Sequence, residues 1–245
     1  MKVNKKYIGC NYNIAVFGGI ISSYNGKFTN EEVLIGAGLE YVPCILGDVS
    51  DAEKVLDKMI LERKPTSLEE MMEIVFTVVN DYFGGIQNVQ NRMNNYKDLD
   101  EIKSEDDIVR VTSLKGKGEA ACVERAMLTQ NLLKRLNIDS YYKCAAILIN
   151  NNHDIHSFNV IQYENKYYIV DTSLPTLVND NISPLICEIP DYVYLSLIRP
   201  EAKPKDIETY SVEVSHYNPL RSKDITVKYD RLRNNNYEVV NTRVL

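Results

Sequence analysis

Nothing in this sequence approaches the roughly 18 consecutive apolar residues that a membrane-spanning helix needs. The run Ile14–Ile21 follows a lysine-bearing start, but Asn11 and Asn13 interrupt it and no A-x-A-like site comes after, so an export signal is not expected. Basic runs are missing too. No five consecutive residues are Lys or Arg, the net charge is -6 and the pI is near 5.2, the wrong footprint for a nucleic-acid partner. The five cysteines (10, 44, 122, 144 and 187) form no C-x-x-C pair and are odd in number. That excludes a zinc ribbon and a disulfide framework and suits a reducing, cytoplasmic compartment. Internal repeats and low-complexity linkers are absent.

What remains is an ordinary globular composition, 44% hydrophobic and 25% charged over 245 residues, enough for one sizeable core and read as a single domain, 1–245. The first part, 1–110, reads as mostly helical. A short apolar helix is expected from about Asn11 to Tyr24. The stretch SDAEKVLDKMILERK opens with Ser50 and Glu53 in capping-box spacing and is stopped by Pro65; SLEEMMEIVFTVVNDYF opens with Ser67 and Glu70 and is stopped by Gly84-Gly85. Residues 86–117 are polar and read as loop or short helix, with KGKG as a flexible approach to the next helix.

From Cys122 the apolar residues recur at helical spacing through EAACVERAMLTQNLLKRLNI. Asn137 stands where a left-handed helix stop is needed, and Ile138 can fold back on the last turn. The period then changes. SYYKCAAILI, HSFNVIQY and KYYIVDTSL are rich in aromatic and β-branched residues, which predicts three antiparallel strands in a meander, the third ended by Pro175. The tail, 176–245, holds further strand-like runs (DYVYLSLI, YSVEVSHY, DITVKYD) and reads as completing a sheet or forming a small β extension.

Cys122 therefore falls in the first turn of a helix, where the backbone dipole and unpaired amides favour an anion. A nucleophilic thiol also needs a base. If Glu164-Asn165 is a two-residue hairpin loop, paired residues sum to 329. His156 and Asp171 are then diagonal neighbours on one sheet face, within reach of a hydrogen bond unless a bulge intervenes.

The run CVERAMLTQNLLKRLNI, followed by a strand opening HSF at 156–158 and one ending IVDT at 169–172, resembles the transglutaminase-like branch of the papain-type cysteine enzymes over about 118–175. The resemblance implies an α+β fold in which a nucleophile helix packs on an antiparallel sheet. It implies Cys122 as nucleophile, His156 as base and acid, and Asp171 as orienting carboxylate, with no cofactor and no metal. The chain departs from the family pattern in several places. It contains no tryptophan, so the one that some members use to stabilise the oxyanion is absent, and a tyrosine or backbone amide must serve. Asn137 replaces the helix-stop glycine, and Ser173 follows the aspartate pair, with proline delayed to 175.

The expected reaction is cleavage of an amide or peptide bond through an acyl-thioenzyme, on a peptide, protein or amide-containing small molecule. Passage of the acyl group to an amine is the alternative; an arylamine acetyltransferase would share the residue order, and a non-catalytic interaction module would need none of the three residues. Cys10 competes as nucleophile, since its own segment has a glycine and a possible helix. The pair in HDIH, 153–156, is too thin a ligand set for a metal. His153 reads as a solvated turn residue, Glu124 and Arg125 as solvated or capping residues, and Cys44, Cys144 and Cys187 as small buried hydrophobes.

Overall fold

The computed structural model describes residues 12–16, 23–28, 34–35, 43–85, 109–149, 152–178, 181–189, 191, 208–212 and 230–233. In chain order the elements are β1 (Tyr12–Val16), β2 (Ser23–Tyr24), β3 (Leu34–Ile35), β4 (Pro43–Ile45), α1 (Ser50–Arg63), α2 (Leu68–Phe83), β5 (Val109–Arg110), a 3-10 turn (Val111–Leu114), α3 (Cys122–Arg135), β6 (Asp139–Ile149), β7 (Asn152–Tyr163), β8 (Lys166–Val178), β9 (Asn181–Ile189), β10 (Glu208–Val212) and β11 (Asp230–Arg233). The main sheet runs β11-β10-β1-β6-β7-β8-β9, with β2 also paired to β6, and every pairing in it is antiparallel. A small sheet, β3-β4-β5, sits apart from it. The molecule is thus a mixed α+β protein built on an antiparallel sheet.

Each helix shows which local rule set its ends. α2 starts as its spacing requires: Ser67 Oγ accepts the Glu70 amide at 3.2 Å, while the Glu70 carboxylate reaches back one residue beyond the usual box to the Thr66 amide at 2.6 Å. α1 differs. Ser50 is already helical, and Asp48 Oδ1 accepts its amide at 2.9 Å, so Asp48 replaces the expected Ser50–Glu53 box. α3 ends at Arg135; Asn137 takes φ 56° and the Ile138 amide returns to the Leu133 carbonyl at 3.0 Å. Asn137→Ala should lower stability by about 1 kcal/mol, because a β-carbon without the asparagine amide fits the left-handed region poorly. Urea midpoints at unchanged m would measure it.

Three expectations are corrected. The segment expected as a helix from Asn11 to Tyr24 contains β1 and β2 instead, paired to β10 and β6. Its β-branched and aromatic residues suit a strand, and cross-strand partners far along the chain outweigh a weak helical pattern. Pro175 does not end β8. The strand continues to Val178, and the proline falls in a register break between Asp171 and Thr176. His153 lies within β7 opposite Leu148, not in a turn. Most of 86–117 lies outside the described residues, as do DYVYLSLI after Asp191 and residues 224–229; β10 and β11 complete the sheet.

α3 is the centre of the molecule. It packs on β6, β7 and β8 and also against α1 and α2. Its residues from Val123 to Leu133 are all buried, polar ones included. Asn131 is satisfied by the backbone of Phe28, accepting its amide at 2.7 Å and donating to its carbonyl at 3.0 Å. Gln130 donates to the carbonyls of Gly26 and Ser140, both at 3.0 Å. The KGKG approach is not loose: Gly116 and Gly118 donate to the carbonyls of Tyr82 and Phe83 at 2.9 and 2.6 Å. A β-carbon on Gly84 (φ 78°) would meet the Gly116 backbone at 2.7 Å, so glycine is required there. This clamp ties the entry of α3 to the end of α2.

Candidate active site

The entry of α3 is held by its own first turn. Ala121 is extended at the N-cap, and the Glu124 carboxylate accepts its amide at 2.9 Å. Glu124 is thus a buried capping residue. Cys122 is the first helical residue and is half-buried, whereas Cys44 and Cys144 are fully buried. Burial pushes the Cys44 thiol far above its ordinary value, with the nearby Glu124 charge acting the same way, so it is inert.

β7 and β8 close through Glu164 and Asn165, both at positive φ (47° and 61°), the backbone of a type I′ turn. The ladder runs from Tyr163↔Lys166 to Asn159↔Val170, so pairs do sum to 329, and then it stops. Beyond Val170, β8 loses its β7 partner, and just after Asp171 it loses register with β9. At this parting His156 Nε2 and Asp171 Oδ2 are hydrogen bonded at 2.5 Å. Both are buried, with 6% and 1% exposure.

The Asp171 carboxylate is fully occupied. Its Oδ1 accepts the Ser173 amide at 2.8 Å and the Ser173 hydroxyl at 2.6 Å, and that hydroxyl lies 3.4 Å from His156 Nε2. Burial opposes the charged imidazole. The charges of Asp171 and Cys122, and the hydrogen bonds the imidazolium donates to both, outweigh it and hold His156 well above the ordinary histidine value. With Nε2 on Asp171, Nδ1 is the nitrogen left for the Cys122 sulfur. The structure therefore brings Cys122, His156 and Asp171 to one place, while Cys10 lies outside the described residues.

Two neighbours escaped the sequence reading. Ser173, which the hairpin register expected from the sequence sets opposite His156 and which departs from the family pattern, clamps the Asp171 carboxylate, a role the sequence did not reveal. Arg125, expected to be solvated or capping, has no exposed surface at all. A charged residue flanked by Ala121, Ala126, Leu128 and Leu132 on a helix with apolar residues on most sides was the available signal. Next to them Thr172 Oγ1 meets Thr129 Oγ1 at 2.9 Å, and the Tyr142 hydroxyl meets Ser157 Oγ at 2.8 Å. Among the described residues no group of three or more His, Cys, Asp or Glu could hold a metal ion, and no helix is long and apolar enough to cross a membrane.

A thiol at a helix start, beside a histidine–carboxylate pair on an antiparallel sheet, is the arrangement that thiol-dependent acyl chemistry uses. The comparison by family agrees: residues 58–185, just over half of the chain, match the family described as a transglutaminase-like domain, and the chain belongs to that family. No curated protein and no solved structure matches it.

Proposed function

We propose that this protein is a thiol enzyme that cleaves an amide or peptide bond and hands the acyl group to water, on a papain-like arrangement of helix and sheet. The observation that carries the reading is the buried His156–Asp171 hydrogen bond at 2.5 Å, with Cys122 interacting with the same imidazole.

Cys122 gives its proton to His156, and the thiolate adds to the substrate carbonyl carbon. The carbonyl oxygen takes the negative charge, and amides of the first turn of α3 are the donors suited to it, since this chain has no tryptophan. The imidazolium then protonates the departing nitrogen as the C–N bond breaks, leaving a thioester on Cys122. His156 next removes a proton from water, the hydroxide adds to the thioester, and the acid leaves as the thiolate reforms. Asp171 keeps the imidazole in one tautomer and steadies the imidazolium throughout. If an amine enters instead of water, the same steps transfer the acyl group.

Site-resolved alkylation tests this. With limiting iodoacetamide between pH 5.5 and 8.5, Cys122 should label fastest at the acid end, and His156→Ala should move it toward ordinary thiol behaviour. Labelling of Cys10 instead would remove Cys122 as nucleophile. Incorporation of a dansylated amine into an acyl donor would assign the amine acceptor.

A further inference from the structure

Arg125 is a fully buried guanidinium whose hydrogen-bond acceptors among the described residues are neutral. Its Nε donates to the Thr172 carbonyl at 2.9 Å, and its terminal nitrogens donate to Asn80 Oδ1 at 3.3 Å and the Gly85 carbonyl at 3.4 Å. The Phe76 ring lies 5.9 Å beneath it. Neutral dipoles thus hold the group in place without cancelling its charge. Burial lowers it to about 10, opposed by the charges of Asp171 and Glu124, so it stays charged at neutral pH. Such a charge is costly for folding alone, and an apolar residue of the same volume would often do as well.

Its position explains the cost. Arg125 is three residues after Cys122, one helical turn away and on a neighbouring face. Its Nε bond grips the carbonyl of the residue next to Asp171, at the point where β8 has left β7 and is about to break register with β9. The ladder no longer fixes that backbone, and Arg125 does.

We infer that Arg125 is a positioning residue of the site, fixing β8 so that Asp171 meets His156 and supplying the positive field that favours the Cys122 thiolate. The inference rests on the thiol-enzyme reading above. Among the described residues the charges that act on Arg125 are Asp171 on β8 and Glu124 on its own helix; Cys122 lies one turn before it on that helix, His156 is bonded to Asp171, and α2 presents the neutral Asn80 and Phe76 to it. Removing a positive charge from this set makes proton loss from the thiol harder, so thiolate reactivity must move to higher pH.

The test uses the full chain with Arg125→Met, Arg125→Lys and Asn80→Asp. The rate of Cys122 alkylation is followed against pH, with thermal melting to confirm folding. Arg125→Met should raise the reactivity midpoint by about one pH unit, a roughly tenfold slower reaction at pH 6. Arg125→Lys, which keeps the charge but lacks the guanidinium fork, should shift the midpoint by clearly less than Met. Asn80→Asp keeps an acceptor oxygen for Arg125 but sets an anion against the guanidinium, and should shift the midpoint the same way by a smaller step. A folded Arg125→Met with the wild-type midpoint, or a Lys variant displaced as far as Met, overturns the inference. If Arg125→Met fails to fold, an unmoved Asn80→Asp midpoint overturns it. A wild-type chain whose Cys122 does not label ahead of its other thiols sinks the thiol-enzyme reading itself, and this inference with it.

Discussion

Asp171→Asn should slow amide cleavage by about 10⁴-fold while the protein stays folded, the size of loss seen when the same change is made in a serine-type triad. The reason lies in how the carboxylate is shared. Two donors from Ser173 converge on Oδ1, so an asparagine would keep its carbonyl oxygen there and turn its amide nitrogen to His156. Nε2 must then accept, the ring proton moves to Nδ1, and the imidazole can no longer take a proton from Cys122. The Asp171 charge, the chief force holding the imidazolium against burial, is lost as well. The pH above which the imidazolium is lost should therefore fall toward the ordinary histidine range. Single-turnover release from an activated amide, with circular dichroism as the folding control, measures the rate. A loss of less than tenfold would mean that Asp171 does not orient the base.

Lys143→Met should stabilise the protein. Lys143 lies on β6 between Phe158 of β7 and Ser23 of β2, has 1% exposure, and makes no ion pair or side-chain hydrogen bond among the described residues. Burial pulls its amine from 10.5 down to about 8, against the opposing charge of Cys144. The sign depends on where the proton sits. The unfolded chain holds it up to pH 10.5 and the folded chain only to about 8, so below pH 8 the fold bears the full cost, which fades as pH climbs through that window. The gap corresponds to roughly 3 kcal/mol. Methionine has nearly the same length and no charge to desolvate. Melting at pH 7 should rise by about 6–12 °C for a chain of this size, and the advantage over wild type should shrink between pH 8 and 10.5. An unchanged melting temperature at pH 7, or an advantage independent of pH, would show that the amine is satisfied where it stands.

Short-range rules were legible in the sequence because they need only neighbours along the chain. Ser67 and Glu70 marked the start of α2, Gly84 its stop and Asn137 the stop after α3. Glu164-Asn165 set a two-residue loop, and that loop fixed the register that carries His156 toward Asp171. The order of cysteine helix, histidine strand and aspartate strand was readable for the same reason.

β9 was not readable, because Pro184 and the asparagine at its start look like loop, and a strand at the margin of the sheet tolerates a proline that a central strand would not. Pro175 misled in the opposite direction, since a register break absorbs it. β1 was hidden because its partners, β6 and β10, lie more than a hundred residues away. The roles of Arg125, Gln130 and Asn131 were decided only by the fold. Their polarity reads as a solvated helix face until α1, α2 and the segment 26–28 cover one side of α3 and the sheet covers the other. The sequence by itself determined the start and stop of α2, the stop of α3, the two-residue turn at 164–165 and the chain order of the three candidate site residues. Only the tertiary structure decided which polar groups lose their water, because burial depends on what distant segments bring to the same place.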